Sequence, residues 1–107
     1  MTCISNSFSI NMLGGGACSV NFTPVTAEEA SHLLENDEFI SGVGHPDTAA
    51  VVSNILGKEV SPNRINVQLT QGDLLIVAQY TGPRLPEGAT TLPEGATINF
   101  WRVEVIY

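Results

Sequence analysis

The sequence predicts a single α/β (α+β mixed) domain, in which one mixed sheet of about five or six strands carries two helices packed on it. Three observations lead to this prediction. A chain of 107 residues has the size of one domain, here residues 1–107. Hydrophobic residues at 43% and charged residues at 14% are typical of a folded core and not of a disordered chain. Apolar residues alternate in several short segments and recur at helical spacing in two others.

The N-terminal segments predict a pair of strands. Residues 2–10 mix β-branched, aromatic and small polar side chains in rough alternation, and residues 18–22 alternate again. The glycines at 14–16 separate the two segments. We therefore expect a hairpin closed by a loose loop.

Two helices and a short strand are expected next. The segment Thr26–Glu29 has the pattern of a capping box, so a first helix should run from it to about Asn36. Residues 39–43 form a short apolar stretch that predicts a buried strand. Proline is favoured at the first helical position, so Pro46 should open a second helix. Gly57 is a suitable C-terminal stop for it.

The second half of the chain predicts three more strands. Residues 65–69 alternate apolar and polar side chains, and the turn Gln71–Asp73 leads into the most hydrophobic strand, residues 74–80. Residues 82–97 are rich in proline and glycine and predict a loop, in which the sequence LPEGAT occurs twice. Residues 99–107 alternate as a final strand. The predicted order of elements is ββαβαβββ.

The charge distribution limits the kind of partner. The net charge is −7, and the first 57 residues contain no lysine or arginine. A protein that coats long nucleic acid must neutralise many phosphates, so we expect no long nucleic acid as a partner. A compact anionic ligand remains compatible, because two or three guanidinium groups can bind it. The basic residues are Lys58, Arg64, Arg84 and Arg102.

The sequence gives no sign of a metal site or of a membrane segment. Cys3 and Cys18 form no CxxC motif, and no histidine and cysteine cluster has metal-ligand spacing, so we expect two reduced thiols. No window of 18 apolar residues occurs. The apolar stretch 8–13 lacks the preceding positive charge of a signal peptide. We therefore expect a cytoplasmic protein that is not bound to a membrane.

His45 is the first candidate for chemistry. It follows Gly42-Val43-Gly44 and precedes Pro46, so it should lie at the start of the second helix, where backbone N–H groups converge on an anion. An imidazole in that position can donate a proton to a phosphate-ester leaving group. The structural alternative is an ordinary helix-capping or turn histidine, and from the residues alone that alternative is the favoured one.

Three further side chains lie in predicted loops. Arg64 and Arg84 can each bind a phosphate in bidentate fashion, or can form ordinary surface ion pairs. Glu87 belongs to the first LPEGAT copy and Glu94 to the second. A carboxylate close to an imidazole favours its protonated, acid form. Both glutamates can also be simple exposed loop residues.

The segments, taken in order, resemble the viral ring nucleases. These are small dimeric anti-CRISPR proteins of archaeal viruses and bacteriophages, with relatives in some bacterial CRISPR loci. The resemblance covers nearly the whole chain. The segments that carry it are Asn6–Leu13, Ser41–His45 with Thr48 and Ala49, Pro62–Arg64, Gln71–Asp73, Gln79 and Arg84–Gly88.

The resemblance implies a fold, an activity and a set of site residues. The family has a mixed α/β fold, acts as a homodimer, and degrades cyclic tetra-adenylate, the messenger of type III CRISPR defence. It needs neither metal nor cofactor. The catalytic histidine falls on His45, and the glutamate falls on Glu87, because that residue follows Arg-Leu-Pro. The second LPEGAT copy departs from the family pattern and leaves Glu94 as an alternative for that role. The ligand-binding positions fall on Asn6, Ser9, Thr48, Arg64, Gln79 and Arg84.

Cleavage in such a site uses the nucleophile that RNA carries. The 2′-hydroxyl attacks the adjacent phosphorus, the 5′-oxygen leaves, and the enzyme protonates that oxygen. Two opposite cuts in the ring give linear di-adenylates that end in 2′,3′-cyclic phosphate. Two other functions remain open at this point. One is a binding protein that sequesters a cyclic nucleotide without cleaving it, and the other is a phage structural or interaction protein.

Overall fold

A computed structural model describes residues 1–16, 18–35 and 39–106 of the chain. It confirms the predicted fold class, with a sheet of five strands and two helices in these ranges. A short 3₁₀ turn at Ile10–Met12 follows the first strand. The elements are β1 (Thr2–Ser5), β2 (Ser19–Val25), α1 (Ala27–Leu33), β3 (Ile40–Ser41), α2 (Pro46–Leu56), β4 (Leu74–Thr81) and β5 (Thr97–Ile106).

The strand order places three parallel strands side by side. The order across the sheet is β2-β5-β4-β1-β3, and β1 pairs in parallel with both β3 and β4. β5 runs antiparallel to its neighbours β2 and β4. The chain therefore leaves β1, β3 and β4 at one edge of the sheet, after Ser5, Ser41 and Thr81. We call this the carboxyl edge. Ligands of open α/β sheets bind at such an edge.

Both faces of the sheet are covered by apolar side chains. On one face α1 and α2 pack over the sheet, and on the other face the 3₁₀ turn and residues 65–69 pack over it. The helix-side cluster includes Ile4, Ala30, Leu34, Val52, Ile76 and Phe100. The opposite cluster includes Cys3, Met12, Val67, Leu69, Leu75 and Val103.

The predicted helix ends are confirmed where the signals are local. The Glu29 N–H donates to Thr26 Oγ1 at 3.1 Å and the Thr26 N–H donates to Glu29 Oε1 at 3.2 Å, so the capping box is complete. Pro46 opens α2, and Gly57 ends it with a φ of +67°, which favours glycine. The predicted end of the first helix at Asn36 lies outside the described residues, as does Tyr107 at the end of the last strand.

The predicted hairpin between the first two strands is wrong. β1 lies between β4 and β3, whereas β2 lies at the far edge and pairs with β5. The reason is burial. Cys3 and Ile4 point to opposite faces and both are buried, so this strand needs neighbours on both sides. β2 is mostly exposed and suits an edge position.

The strand predicted over residues 65–69 is also wrong. This segment forms no sheet ladder, although Val67 and Leu69 are buried against the sheet face. Its backbone is held by the Leu69 N–H, which donates to the carbonyl oxygen of Met12 at 2.7 Å. An alternating pattern of burial requires only that one face of the segment is covered. The same pattern therefore arises in a segment that packs on the sheet without pairing with its strands.

The two cysteines are free thiols, as expected, although only Cys3 is fully buried and Cys18 is half-buried. Burial raises the pKa of the Cys3 thiol, and the nearby negative charge of Asp73 raises it further. Within the described ranges, no helix has the length and apolar character needed to cross a bilayer.

Asp73 makes a pH-dependent contribution to stability at the opposite end of β4. Burial raises its pKa, but hydrogen bonds from the Thr70 N–H and hydroxyl, at 2.9 and 3.1 Å, and from the Met1 amine, at 3.1 Å, outweigh burial. The net pKa is lowered. Its stabilising effect is therefore present above the pKa of an unfolded aspartate, about 4, and is lost as the pH falls through the folded value.

We expect Asp73→Asn to lower the free energy of unfolding by about 1 kcal/mol at pH 7, since it weakens partly exposed charged hydrogen bonds. The difference from the wild type should shrink as the pH is lowered below about 4. Urea unfolding at both pH values measures this, with the exposed Glu59→Gln as the control. A difference that is the same at both pH values would contradict this account of Asp73.

Candidate functional site

The carboxyl edge brings most of the predicted site residues into one region. Asn6 directly follows β1, His45 lies just beyond β3, and Arg84 lies just beyond β4. Residues 41–44 also run beside the segment that carries Arg64, since the Asn63 N–H donates to the Val43 carbonyl oxygen at 2.7 Å. Asn6, His45 and Arg84 are far apart in the sequence, and the parallel arrangement of β1, β3 and β4 brings them to the same edge of the sheet.

His45 occupies the N-cap position of α2, and its side chain is exposed and makes no capping hydrogen bond. Only its backbone carbonyl oxygen belongs to the helix, accepting the Ala49 N–H at 2.9 Å. This is the helix-capping position that the alternative interpretation gives to His45, but the His45 side chain does not cap the helix. The imidazole is thus available to a ligand at this edge.

The glycines before His45 allow close packing of neighbouring side chains. The Gly42 N–H donates to the Ile4 carbonyl oxygen at 2.7 Å, and the Val43 N–H donates to Ser41 Oγ at 3.3 Å. The N–H groups of Gly42 and Val43 are therefore already bonded within the protein, and the expectation of an anion at this helix start concerns the N–H groups that follow them. A Cβ atom on Gly42 would lie 2.7 Å from Val67 Cγ2, so a larger residue would displace that segment.

Arg64 is fixed beside the residue that precedes His45. Its Nε donates to the Gly44 carbonyl oxygen at 3.0 Å. A Cβ atom on Gly44 would come within 3.4 Å of Arg64 Cγ, so glycine lets the arginine stem lie close to this backbone. With Nε occupied, the two terminal nitrogens of the guanidinium group remain the donors that can meet a phosphate.

The surface ion pair that was the alternative for Arg64 and Arg84 is found instead at Arg102. Arg102 lies 2.7 Å from Glu104 on the same strand. Among the described residues, neither Arg64 nor Arg84 is within ion-pair distance of a carboxylate. Arg84 is exposed, and the turn that leads to it is held by Tyr80, whose hydroxyl donates to the Pro83 carbonyl oxygen.

The first LPEGAT copy is docked on the start of α2. Residues 86–89 form a β-turn in which the Ala89 N–H donates to the Pro86 carbonyl oxygen at 3.0 Å and Gly88 has a φ of +80°. The Gly88 N–H donates to Asp47 Oδ1 at 3.1 Å. Because Asp47 lies two residues beyond His45, this bond brings the turn with the exposed Glu87 beside the first turn of α2.

The second LPEGAT copy forms the same turn in a different place. The Ala96 N–H donates to the Pro93 carbonyl oxygen at 3.1 Å, and Gly95 has a φ of +83°. Leu92, which opens this copy, shares a groove with Ile55 near the C-terminal end of α2. This copy therefore packs toward the end of the helix away from His45, and Glu87 is the glutamate whose turn contacts the start of α2.

The remaining predicted ligand-binding residues differ in their surroundings. Ser9 caps the 3₁₀ turn, since its Oγ accepts the Asn11 N–H at 3.2 Å. Thr48 is buried in the first turn of α2. Gln79 is exposed and lines a groove of about 320 Å³ with Phe8 and Trp101, on the sheet face away from the helices. The structure therefore does not place Gln79 with Glu87, and only a ligand that extends over the edge would reach both.

The charges at the edge decide which residues could attract a phosphate. A helix N-terminus favours anions, but the first turn of α2 already contains the carboxylate of Asp47. A phosphate there would meet a like charge, so Arg64 and Arg84 must supply most of the attraction. Asp47 and Tyr80 were not among the residues predicted for the site. An acidic residue in a first helical turn is common, and no pattern in the sequence showed that its carboxylate bonds to a distant loop.

Comparison with known proteins identifies the family. A family model described as STIV B116-like matches residues 2–100, and the chain belongs to this family. It is 38% identical to Uncharacterized protein 26 of Sulfolobus islandicus filamentous virus, over 99% of this chain and 92% of that protein. It is 32% identical to Uncharacterized protein ORF116 of Acidianus filamentous virus 1, over 89% of this chain and 81% of that protein.

A solved structure has the same fold. B116 of Sulfolobus turreted icosahedral virus (STIV) superposes with a TM-score of 0.81 and 26% identity, over 96% of this chain and 97% of that one. The similarity to viral proteins thus extends over the whole domain. It covers the carboxyl edge as well as the sheet core.

Proposed function

We propose that this protein is a metal-independent ring nuclease that cleaves cyclic tetra-adenylate to linear di-adenylates with 2′,3′-cyclic phosphate. One observation carries the proposal. At the carboxyl edge, Arg64 is bonded to Gly44, the residue before His45, and the turn of Glu87 is bonded to Asp47, two residues after His45. An imidazole, a guanidinium group and a turn with a carboxylate are thus attached to one short segment, in a chain that carries few cations.

Each residue type suits one part of the reaction. Arg64 and Arg84 hold the phosphate and stabilise the charge that develops on its oxygens. The 2′-oxygen forms a new bond to phosphorus, and the bond from phosphorus to the 5′-oxygen breaks. His45, in its protonated form, gives its proton to the departing 5′-oxygen. Glu87 orients His45 or the 2′-hydroxyl, whose proton passes to the carboxylate or to water.

We propose that the active form is a homodimer with the ring on its two-fold axis. Each half of the ring would then meet one copy of every site residue, which gives two opposite cuts. Exposed apolar side chains support a partner surface close to the site. Ile10, beside Ser9, is 78% exposed, and Ile65, beside Arg64, is 43% exposed. Such side chains are typical of a protein interface when they lie together.

The biological consequence would be to switch off type III CRISPR signalling in the cytoplasm of the infected cell. The family supports this role, since the relatives reported above are viral proteins. A viral inhibitor is therefore favoured over a regulator encoded in a cellular CRISPR locus.

The test is an incubation of the purified protein with cyclic tetra-adenylate in excess chelator, followed by chromatography of the products. We expect the ring to disappear and di-adenylates to form. An intact ring together with a raised melting temperature of the protein would identify a binding protein that sequesters the nucleotide. An intact ring with no change in melting temperature would favour a structural or interaction protein. Cleavage by a strictly monomeric protein would overturn the dimeric arrangement.

A further inference from the structure

We propose that Asp47 is a positioning residue, which holds the turn of Glu87 against the start of α2 and so sets the place of the catalytic carboxylate. This inference rests on the proposed function and names a residue that acts through Glu87. Its basis is the hydrogen bond from the Gly88 N–H to Asp47 Oδ1 at 3.1 Å.

The loop that carries Glu87 has few other attachments. It comprises residues 82–96, is mostly exposed, and is rich in proline and glycine. Its neck is closed where Gly82 and Ala96 meet, since a Cβ atom on Gly82 would lie 2.8 Å from Ala96 Cα. Beyond the neck, two side-chain bonds join the described loop to α2. These are Asp47 to Gly88 and the Asn54 Nδ2 donating to the Thr90 carbonyl oxygen at 3.1 Å.

The two side chains lie at different distances from the chemistry. Asn54 is two turns further along α2 and holds the part of the loop beyond Glu87. Asp47 contacts the residue directly after Glu87 and lies two residues after His45. Loss of the Asp47 bond would therefore release Glu87 while Asn54 still held the rest of the loop.

The tandem copy provides an internal comparison. The turns at 86–89 and 93–96 have the same hydrogen bond and the same glycine conformation. In the part of the chain that the structure describes, Gly95 has no bond that corresponds to the one from Gly88 to Asp47. The turn therefore forms without the carboxylate. What Asp47 adds is the location of the turn and not its shape.

A simpler role for Asp47 is favourable interaction with the helix dipole, and this role makes different predictions. Glu28 provides the matched control, because it occupies the same second position in α1 and is exposed. Asp47→Asn removes the charge but keeps an oxygen that can accept the Gly88 N–H. Asp47→Ala removes both. Together the two variants separate the effect of the charge from the effect of the hydrogen bond.

The first measurement is turnover of cyclic tetra-adenylate in chelator. We expect Asp47→Ala to lower kcat by about 10-fold or more, with the Kd for the ring unchanged or lower because a negative charge is removed. Asp47→Asn should stay within about threefold of the wild type, and so should Glu28→Ala. If Asp47→Asn loses as much activity as Asp47→Ala, or if Asp47→Ala keeps full activity, the proposal is overturned.

A second measurement tests whether Asp47 acts through Glu87. In a Glu87→Gln background, Asp47→Ala should cost little further activity, whereas an independent role would give multiplicative losses.

Amide hydrogen exchange gives a readout that needs no activity. Exchange at Gly88 should be slow in the wild type and in Asp47→Asn, and faster in Asp47→Ala. If neither the wild type nor the variants cleave the ring but the exchange rates at Gly88 follow this order, the proposed function fails and the contact between Asp47 and Gly88 stands. Unprotected Gly88 in an active wild type overturns the inference alone.

Discussion

Replacing His45 with alanine is expected to lower kcat for cyclic tetra-adenylate by about 10²–10⁴-fold and to leave the Kd for the ring within about threefold. In the proposed reaction, this change removes the proton donor to the 5′-oxygen. Binding should persist because the proposed site holds the phosphates with its arginines. The fold should persist as well, since the His45 side chain is exposed and makes no capping hydrogen bond. Single-turnover rates and isothermal titration measure the two effects.

His32→Ala is the matched control for this prediction. His32 is the only other histidine in the sequence, lies exposed in α1, and is 3.8 Å from the carboxylate of Glu35. Its replacement should leave both kcat and Kd unchanged. A His45→Ala protein that cleaves the ring within about twofold of the wild-type rate would remove His45 from the mechanism.

Replacing Glu87 with glutamine is expected to lower kcat by about 10- to 100-fold, whereas the same change at Glu94 should leave kcat within about twofold of the wild type. The two residues occupy the same position of the same turn in the two LPEGAT copies. Only the turn of Glu87 is bonded to Asp47 at the start of α2. Steady-state kinetics of the two variants, with melting temperatures, measures the difference.

The tandem repeat makes this pair unusually well matched. Both glutamates are exposed, so neither change should alter the core. Equal losses in the two variants would show that activity depends on the charge of the loop as a whole. A loss confined to Glu94→Gln would transfer the carboxylate role to the second copy and would contradict the site described above.

Local signals in the sequence predicted local structure well. The capping box at Thr26, the proline that opens α2 and the glycine that ends it each act within a few residues. Strand pairing failed where it depended on distant partners. The β1 segment looked like one arm of a hairpin, but its burial on both faces places it between β3 and β4. Residues 65–69 show that alternating apolar and polar side chains indicate one buried face and do not by themselves indicate strand pairing.

The candidate site could be predicted as a set of residues but not as an arrangement. The short segments around His45, Arg64 and Arg84 were identifiable along the chain. His45 and Arg84 follow parallel strands that end at one edge, and Arg64 is held there by its bond to Gly44. The predicted hairpin would not have produced that edge. The choice of Glu87 over Glu94 rests in the structure on one hydrogen bond from the loop to Asp47, for which no sequence pattern exists.

The placement of the cations is compatible with the proposed binding of an anion by an acidic protein. The chain has a net charge of −7 and only four lysines and arginines. Arg102 lies 2.7 Å from Glu104, whereas Arg64 lies beside the segment that leads to His45. Acidic surroundings weaken binding of any long polyanion, whereas the proposed small ring, with few phosphates, would need only the two arginines at this edge.

In the proposed reaction, the ring's own 2′-hydroxyl is the nucleophile and no water is consumed. Mass spectrometry of the first products, formed by the wild type in oxygen-labelled water with excess chelator, tests this. Transfer to the 2′-oxygen adds no water, so the di-adenylates should together have the mass of the ring and contain no label. Products that are heavier by a labelled water from the first turnover would show direct hydrolysis and contradict the account.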